Sequence, residues 1–136
     1  ILEFADGYRF YFVGDTGWNE RLFTEMGEQY GGIDFGLIPI GAYEPSDFMR
    51  NAHTNPEEAI QIMQVMGIKQ ALAIHWGTFV LTAEPVDEPP VRLASARKDA
   101  DIGANDFIAA PIGATRFFDG KTNHQTNDLP ETKAAQ

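Results

Sequence analysis

The sequence predicts an α/β layered structure, in which short buried strands alternate with helices. Two nearly continuous apolar runs, at residues 33–40 (IDFGLIPI) and 70–74 (QALAI), have the length and composition of strands buried on both faces. A strong helix start lies between them, in the run NPEE. Because strands and helices alternate along the chain, a layered sheet with helices packed against it is favoured over an all-helical or all-strand fold.

The first 13 residues (ILEFADGYRFYFV) are predicted to form two strands joined by a turn at Ala5, Asp6 and Gly7. The second strand covers residues 8–13, which are rich in aromatic side chains. The chain opens inside the first strand, without an initiator Met or a signal peptide. We therefore expect that sequence upstream of Ile1 is missing.

A helix should follow the run GDTG, since apolar residues recur there at helical spacing. These residues are Trp18, Leu22, Phe23 and Met26. Thr16 is the predicted N-cap of this helix, and Gly27 its predicted end. Residues 33–40 then form a strand, and the long polar loop after it contains a helical turn at residues 46–50.

The best-defined helix start is at Asn55. Asn55 can cap the helix, Pro56 suits its first position, and Glu58 occupies the acidic position of a capping box. Gly67 is predicted to end this helix, and the strand at residues 70–74 follows.

The last elements are a helix and a pair of strands. The helix is predicted to begin at about Val91, after two prolines. The strands cover residues 107–110 and 114–118, around a turn at 111–113. Residues 119–136 are polar and are predicted to form a disordered tail. We thus expect one domain, residues 1–118, followed by this tail.

Composition limits the possible partners. The 136 residues fit a single domain and carry a net charge of −10, from 20 acidic and 10 basic side chains. This charge argues against nucleic-acid binding and against docking on an anionic membrane. The chain has no cysteine, which excludes disulfides and thiolate metal sites. No apolar run approaches the roughly 18 residues of a membrane span. A soluble protein is expected; the compartment is not fixed, and the cytoplasm is slightly favoured.

Asp15 and His75 are the main candidates for metal ligands. Each follows an apolar run that breaks into glycine, and in α/β sheets the chemistry gathers beyond the carboxyl ends of strands. A carboxylate can bridge two cations, and a neutral imidazole is a good zinc ligand. The residues alone leave two alternatives open. Asp15 could simply cap the next helix, and His75 could be a buried histidine bonded to a carbonyl group.

Other side chains give weaker signals. His53, in the polar loop, could contact a substrate or move a proton, or could merely be exposed. Four aromatic residues could line an apolar pocket beside the strand ends or belong to the core: Tyr43, Phe48, Trp76 and Phe79. Glu44 and Glu84 each precede a proline and are interpreted as loop residues.

Five segments carry a family resemblance: FYFVGDTGW, FGLIPIGAYEP, FMRNAHTNPEEAIQI, ALAIHWGTF and EPPVRL. In this order and at these intervals, they resemble the C-terminal half of the metallo-β-lactamase superfamily. Within the superfamily, they are most similar to the branch of N-acyl-phosphatidylethanolamine-hydrolysing phospholipase D and its bacterial relatives. The resemblance covers residues 8–118.

The resemblance implies half of an αββα sandwich, with a mixed sheet and helices packed on one face. It also implies a centre of two metal ions, usually zinc, although other divalent metals are compatible. Asp15 matches the bridging aspartate of the family, and His75 matches its last histidine ligand. His53 matches a histidine that contacts the substrate. The implied reaction is attack by a metal-activated water on a phosphodiester or related ester of a lipid or small molecule.

The family's main ligand motif, HxHxDH, and one further histidine are absent from this sequence and belong upstream of Ile1. The resemblance therefore implies that this chain alone is inactive, because it lacks most metal ligands. It also implies an uncovered apolar sheet face. The missing N-terminal half could cover that face, or a second copy could cover it in a homo-oligomer such as a symmetric dimer. The alternative function is a non-catalytic half-domain that self-association stabilises.

Overall fold

The computed structural model describes residues 1–118, which form five strands and four helices. The strands are β1 (Leu2–Glu3), β2 (Arg9–Phe12), β3 (Phe35–Pro39), β4 (Gln70–Ile74) and β5 (Phe107–Ile108). The helices are α1 (Glu20–Tyr30), α2 (Ser46–Met49), α3 (Pro56–Val65) and α4 (Glu88–Asp99). The predicted disordered tail, residues 119–136, and its His124 lie outside the described residues.

All five strands join one mixed sheet, in the order β1-β2-β3-β4-β5. β1 and β2 form the predicted antiparallel hairpin, and the other three pairings are parallel. Parallel neighbours need a crossover, and α1, α3 and α4 lie in the crossovers from β2 to β3, β3 to β4 and β4 to β5. The predicted α/β class is confirmed.

The helices pack on one face of the sheet. Paired residues on neighbouring strands point to the same side, and one such set belongs to the hydrophobic core. That set is Tyr11, Ile38, Ala71, Ala73 and Phe107. The same core contains Phe23 of α1, Ile62 of α3 and Leu93 of α4. The predicted mixed sheet with helices on one face is therefore confirmed.

The other face of the sheet, here called the open face, is also apolar. Its apolar members include Leu2, Phe10, Phe12, Phe35, Leu37, Leu72, Ile74 and Ile108. Leu2 and Phe12 are more than half exposed, at 59% and 54%. Phe35 is buried, and the ring of Phe118 packs against it with 4.1 Å between the ring centroids. No described helix contributes to the core on this side.

The predicted ends of α1 were wrong. Asn19, rather than Thr16, is the N-cap, and its side chain accepts a hydrogen bond from the backbone N–H of Leu22. Gly27 lies inside the helix, where a Cβ atom would overlap the backbone carbonyl oxygen of Val65 in α3. The glycine is explained by this close helix packing and does not end the helix.

The prediction for α3 was correct. Asn55 and Glu58 form a complete capping box, in which each side chain accepts a hydrogen bond from the backbone N–H of the other residue. Pro56 occupies the first helical position, and the helix ends at Val65, with Met66 as its C-cap just before Gly67. The short helical turn predicted at residues 46–50 is observed as α2.

Two predictions near the end of the domain were wrong. α4 begins at Glu88 instead of about Val91, and both prolines lie in its first turn. Proline is tolerated there, because the first backbone N–H groups of a helix have no partner within it. Residues 114–118 form no strand, and β5 pairs with β4. Instead of forming a hairpin, this segment brings Phe118 to the open face.

Candidate metal centre

Three loops at one edge of the sheet carry the predicted site residues. Asp15 follows β2, and His75 comes directly after β4. His53 lies in the loop between α2 and α3. Because β2, β3 and β4 are parallel, the loops that follow them leave the sheet at the same edge. The topology thus brings together residues that are far apart in the sequence.

The carboxylate of Asp15 lies close to both imidazole rings. Its Oδ1 is 3.4 Å from Nε2 of His53 and 3.6 Å from Nδ1 of His75. The exposed fractions of the three side chains are 57% for Asp15, 36% for His75 and 23% for His53. The cluster is therefore open to solvent and accessible to a ligand.

The structure decides against both alternative interpretations of these residues. Asn19 caps α1, so Asp15 is not needed as the helix cap. His75 is not a buried core histidine, because more than a third of its side chain is exposed and it lines a cavity. Its backbone has a φ of 58°, in the left-handed region that residues other than glycine seldom adopt. Such conformations cluster at functional sites.

The loops of Asp15 and His53 are packed directly against each other. A Cβ atom at Gly17 would overlap the backbone carbonyl oxygen of Arg50, so only glycine allows this approach. On the other side of His53, the fully buried hydroxyl of Thr54 donates a 2.9 Å hydrogen bond to the carbonyl oxygen of Pro39, the last residue of β3. These contacts fix His53 relative to both Asp15 and the sheet.

The three residues line a cavity of about 390 Å³. This volume is in the usual range for sites that bind small molecules. Part of the wall is formed by three consecutive apolar residues, Phe79, Val80 and Leu81. These residues are 73%, 78% and 77% exposed, which is unusual for three large apolar residues in a row. An apolar wall thus stands beside a cluster of polar, chemically reactive groups.

The four aromatic candidates divide between cavity, core and surface. Trp76 and Phe79 line the cavity, as the pocket interpretation predicts. Tyr43 is buried, in agreement with the core interpretation, whereas Phe48 is 78% exposed and does not line the cavity. The sequence could not separate these roles, because all four residues lie in loops or short helices without a regular period.

Tyr43 belongs to a polar network that the sequence did not reveal. Its hydroxyl donates a 2.8 Å hydrogen bond to Oε1 of Glu88, and the guanidinium group of Arg92 lies 4.6 Å from its ring centroid. Arg92 also donates two hydrogen bonds to Glu57. Burial and the bond to Glu88 raise the pKa of Tyr43 above its usual range. The network ties the loop after β3 to α3 and α4.

Glu84, interpreted from the sequence as a simple loop residue, is a second missed participant. It lines the cavity, and its carboxylate accepts hydrogen bonds from the backbone N–H groups of Ala42 and Glu44 and from the hydroxyl of Thr82. Burial would raise the pKa of Glu84, but these hydrogen bonds outweigh burial and lower it. No sequence signal marks this role, because the partners are mainly backbone groups distant along the chain.

The geometry at Asp15 is compatible with a metal ion. Two ligands of one tetrahedral zinc ion, with bonds of 2.0–2.1 Å, lie about 3.3 Å apart. The Asp15–His75 separation is 3.6 Å and the Asp15–His53 separation is 3.4 Å. Within residues 1–118, however, no group of three or more His, Cys, Asp or Glu side chains has the arrangement of a complete metal site.

The two histidines differ in their surroundings. Nδ1 of His53 is buried and has no hydrogen-bond partner among the described residues. Metal-bound histidines almost always use their second ring nitrogen to donate a hydrogen bond, which orients the ring. Among the described residues neither imidazole ring makes such a bond, so this criterion does not separate His53 from His75 as a ligand.

Comparison with known proteins assigns the family. The fold is an α/β half-sandwich with a candidate metal centre at the sheet edge. Residues 1–76 match the family model described as "Beta-lactamase superfamily domain". The chain belongs to this family. The resemblance predicted from the five sequence segments is thereby confirmed.

Individual relatives are metal-dependent or phospholipid hydrolases by name. The chain is 43% identical over 113 residues to "N-acyl-phosphatidylethanolamine-hydrolyzing phospholipase D 1" of Caenorhabditis elegans, covering 80% of this chain and 31% of that protein. It is 36% identical over 109 residues to the mitochondrial enzyme of the same description from Saccharomyces cerevisiae, covering 79% and 23%. It is 34% identical over 82 residues to a "UPF0173 metal-dependent hydrolase" of Nitratidesulfovibrio vulgaris, covering 58% and 29%.

These relatives are much longer than the matched region. The chain spans between about a quarter and a third of their length. None of the helices within residues 1–118 is long and apolar enough to cross a membrane. The metal-dependent hydrolases among the relatives imply a divalent metal.

Proposed function

We propose that this chain contributes part of the active site of a metal-dependent hydrolase that cleaves a phosphodiester or a related ester. One observation carries the proposal: the Asp15 carboxylate lies within 3.6 Å of His75 and 3.4 Å of His53 at a partly apolar cavity. The names of the nematode and yeast relatives support a phosphodiester as the substrate.

Asp15 and His75 would hold the metal. The two carboxylate oxygens of Asp15 can contact two cations, and a bridging anion reduces the repulsion between them. His75 would bind one cation through its imidazole ring. Zinc suits this combination of ligands, with two ions in a complete site, and other divalent metals remain compatible. Bound metal of this kind lowers the pKa of a water molecule and polarises the scissile group.

His53 would contact the substrate. Its Nε2 faces the Asp15 carboxylate, and its Nδ1 has no described partner that would orient it as a ligand. A histidine in this position can donate a hydrogen bond to a phosphoryl oxygen and can transfer a proton. Following the family resemblance, we assign it a catalytic role at the substrate and no role as a metal ligand.

The apolar wall supports a substrate with an apolar portion, such as a phospholipid. Phe79, Val80 and Leu81 line the same cavity as the polar cluster, so a phosphodiester near Asp15 could place an attached chain against them. The net charge of −10 disfavours a nucleic acid, which would bring many phosphates to an acidic protein. A small phosphodiester carries far less charge.

The proposed site is only partly built from these residues. A tetrahedral zinc site needs about three protein ligands in addition to water. Asp15 and His75 supply two, and the family resemblance assigns the others to an HxHxDH motif that this sequence lacks. We therefore expect residues 1–136 alone to bind zinc weakly and to be inactive. Stoichiometric zinc together with hydrolysis by this stretch alone would contradict that expectation.

The test is metal analysis combined with a phosphodiesterase assay on the full-length enzyme. Asp15→Ala and His75→Ala should each lower metal affinity by more than about 100-fold, because loss of a direct ligand costs more than loss of an outer hydrogen bond. The matched control is Asp87→Ala, since Asp87 is exposed and its side chain does not cap α4. If both variants retained metal and activity, the proposal would be wrong.

The open face supports a second candidate, a non-catalytic half-domain that self-association stabilises. Leu2 and Phe12 on this face are more than half exposed, and apolar faces of this kind are commonly buried against another surface. Sedimentation velocity on residues 1–136 tests this candidate. A dimer that Phe12→Glu dissociates would support it, whereas a monomer at all concentrations would exclude it.

A further inference from the structure

Glu84 connects two loops of the candidate site. Its Oε1 accepts a 2.8 Å hydrogen bond from the backbone N–H of Ala42 and a 2.7 Å bond from the hydroxyl of Thr82. Its Oε2 accepts a 3.0 Å bond from the backbone N–H of Glu44. A single carboxylate therefore holds two backbone groups of the loop after β3, and it does so from the loop after β4.

The loop held by Glu84 has an unfavourable backbone conformation. Ala42 has a φ of 65°, in the left-handed region that an alanine seldom adopts. Such a conformation persists only where surrounding contacts impose it. The bond from the Ala42 N–H to Glu84 is a contact of this kind. A second connection lies nearby, where the backbone N–H of Ala83 donates to the carbonyl oxygen of Glu44.

The same loop lies directly against His75. A Cβ atom at Gly41 would overlap the backbone carbonyl oxygen of His75, so the two backbones are in contact. The preceding residue, Ile40, donates its backbone N–H to the carbonyl oxygen of Ile74 at 3.1 Å. His75 itself has a φ of 58°. The backbone of His75 therefore packs against the loop at residues 41–44. In this loop Ala42 also has a positive φ, and its N–H is bonded to Glu84.

We propose that Glu84 is a positioning residue, which fixes the loop at residues 41–44 and through this loop fixes the backbone and ring orientation of His75. The proposal rests on the proposed function only in assigning His75 a role at the metal. The geometric coupling from Glu84 to His75 is independent of that role. Glu84 does not touch the cluster of Asp15 and the two histidines through any of its hydrogen bonds.

The decisive variant is Glu84→Gln in the full-length protein. Glutamine has the same shape but only one acceptor oxygen, so its NH₂ group must face at least one N–H donor. Amide hydrogen exchange at Ala42 and Glu44 should accelerate by about tenfold or more, as expected for the loss of a hydrogen bond to a charged group. The imidazole signals of His75 in ¹H–¹⁵N spectra should shift, with the overall fold retained.

Two further variants separate positioning from general destabilisation. Asp87→Asn removes a nearby acidic charge without removing a helix-capping bond, and it should leave the exchange rates and the His75 signals unchanged. Gly41→Ala perturbs the second half of the connection and should shift the His75 signals even with Glu84 intact. If Glu84→Gln does not fold, Thr82→Val provides a milder test, because it removes one of the three hydrogen bonds.

Faster exchange at Ala42 and Glu44 together with shifted His75 signals would support the proposal. Faster exchange with unchanged His75 signals would overturn it, since Glu84 would then hold only its own loop. Unchanged exchange would overturn it as well. None of these measurements depends on hydrolysis, so an inactive enzyme would argue against the proposed function without affecting this test.

Discussion

Nε2 of His53 lies 3.4 Å from Oδ1 of Asp15, although the two residues come from different loops. This distance alone would also suit two ligands of one metal ion. A substrate role predicts that His53→Ala retains its metal but loses roughly 100-fold or more in kcat, as is typical of a lost acid–base group. Metal content and steady-state kinetics of the full-length enzyme measure both quantities.

His53→Gln is the matched variant, because its amide group can place an N–H donor near the position of Nε2. It should lose less activity than His53→Ala. Loss of bound metal from His53→Ala would show that His53 is a ligand and would contradict the assignment. His124→Ala serves as a second control, since His124 lies outside residues 8–118, which the family resemblance covers.

The exposed apolar wall predicts a dependence on the chain length of the substrate. Replacing Phe79, Val80 and Leu81 together by serine should raise KM for a long-chain phosphodiester and leave KM for a short, water-soluble one unchanged. Each methylene group that leaves water contributes about 0.8 kcal/mol, so a few lost contacts suffice for a tenfold change. An equal effect on both substrates would argue against a role for the wall in binding the chain.

The network around Arg92 predicts a measurable loss of stability. Arg92 donates two hydrogen bonds to Glu57 and lies over the ring of Tyr43, and its side chain is 32% exposed. Arg92→Met keeps an unbranched apolar stem but removes the guanidinium group and its charge, and it should lower the free energy of unfolding by about 1 kcal/mol. Urea denaturation measures this difference.

Arg21→Met is the control for Arg92. Arg21 pairs with Glu25 at 3.9 Å, and its side chain is 87% exposed. Exposed pairs of this geometry contribute little, so the change should stay below about 0.5 kcal/mol. If both variants were destabilised equally, the effect would come from loss of an arginine in general and not from the network.

Asp34 predicts part of the acid sensitivity of the fold. The hydrogen bond from Lys69 and the backbone N–H of Arg9 lower the pKa of Asp34 from its ordinary value of 3.8. A carboxyl group with a lowered pKa in the folded state stabilises the protein above its unfolded pKa. That stabilisation disappears as the pH falls through the folded pKa. Asp34→Asn should therefore be less stable at neutral pH and lose less stability below about pH 5.

The measurement is the free energy of unfolding from pH 7 downwards for the wild-type protein and for Asp34→Asn. The two curves should converge as the pH falls. The control is Asp87→Asn, in which the exposed Asp87 makes no helix-capping bond. Curves for Asp34→Asn and wild type that stay parallel over the whole range would contradict the prediction.

The features predicted correctly from the sequence depend on local rules. The capping box at Asn55 and Glu58 is specified by residues three positions apart, and β3 and β4 are marked by their own apolar runs. Asp15 and His75 are candidates for a similarly local reason, because each stands at the end of a strand-like run, and the structure places them 3.6 Å apart. Their proximity followed from the rule that parallel strands present their carboxyl ends at one edge.

The features predicted wrongly depend on contacts between distant segments. Gly27 was predicted to end α1, because glycine is common at helix ends. The actual reason for the glycine is its contact with Val65 of α3, which the local sequence does not show. Phe118 was predicted to belong to a strand. Its ring instead packs against Phe35 on the open face, a contact that the local sequence does not indicate. Glu84 could not be recognised, because its acceptor oxygens serve backbone groups, which any sequence would provide.

The order of strands in the sheet matches their order in the chain. During synthesis on the ribosome, each new strand can therefore add to the free edge of those already made, without rearranging earlier pairings. On this route Asp15 and His53 meet before His75 arrives, and the reactive cluster closes only when β4 docks. Glu84 follows His75 in the chain, so on this route the cluster forms before the side chain proposed to position His75 is available.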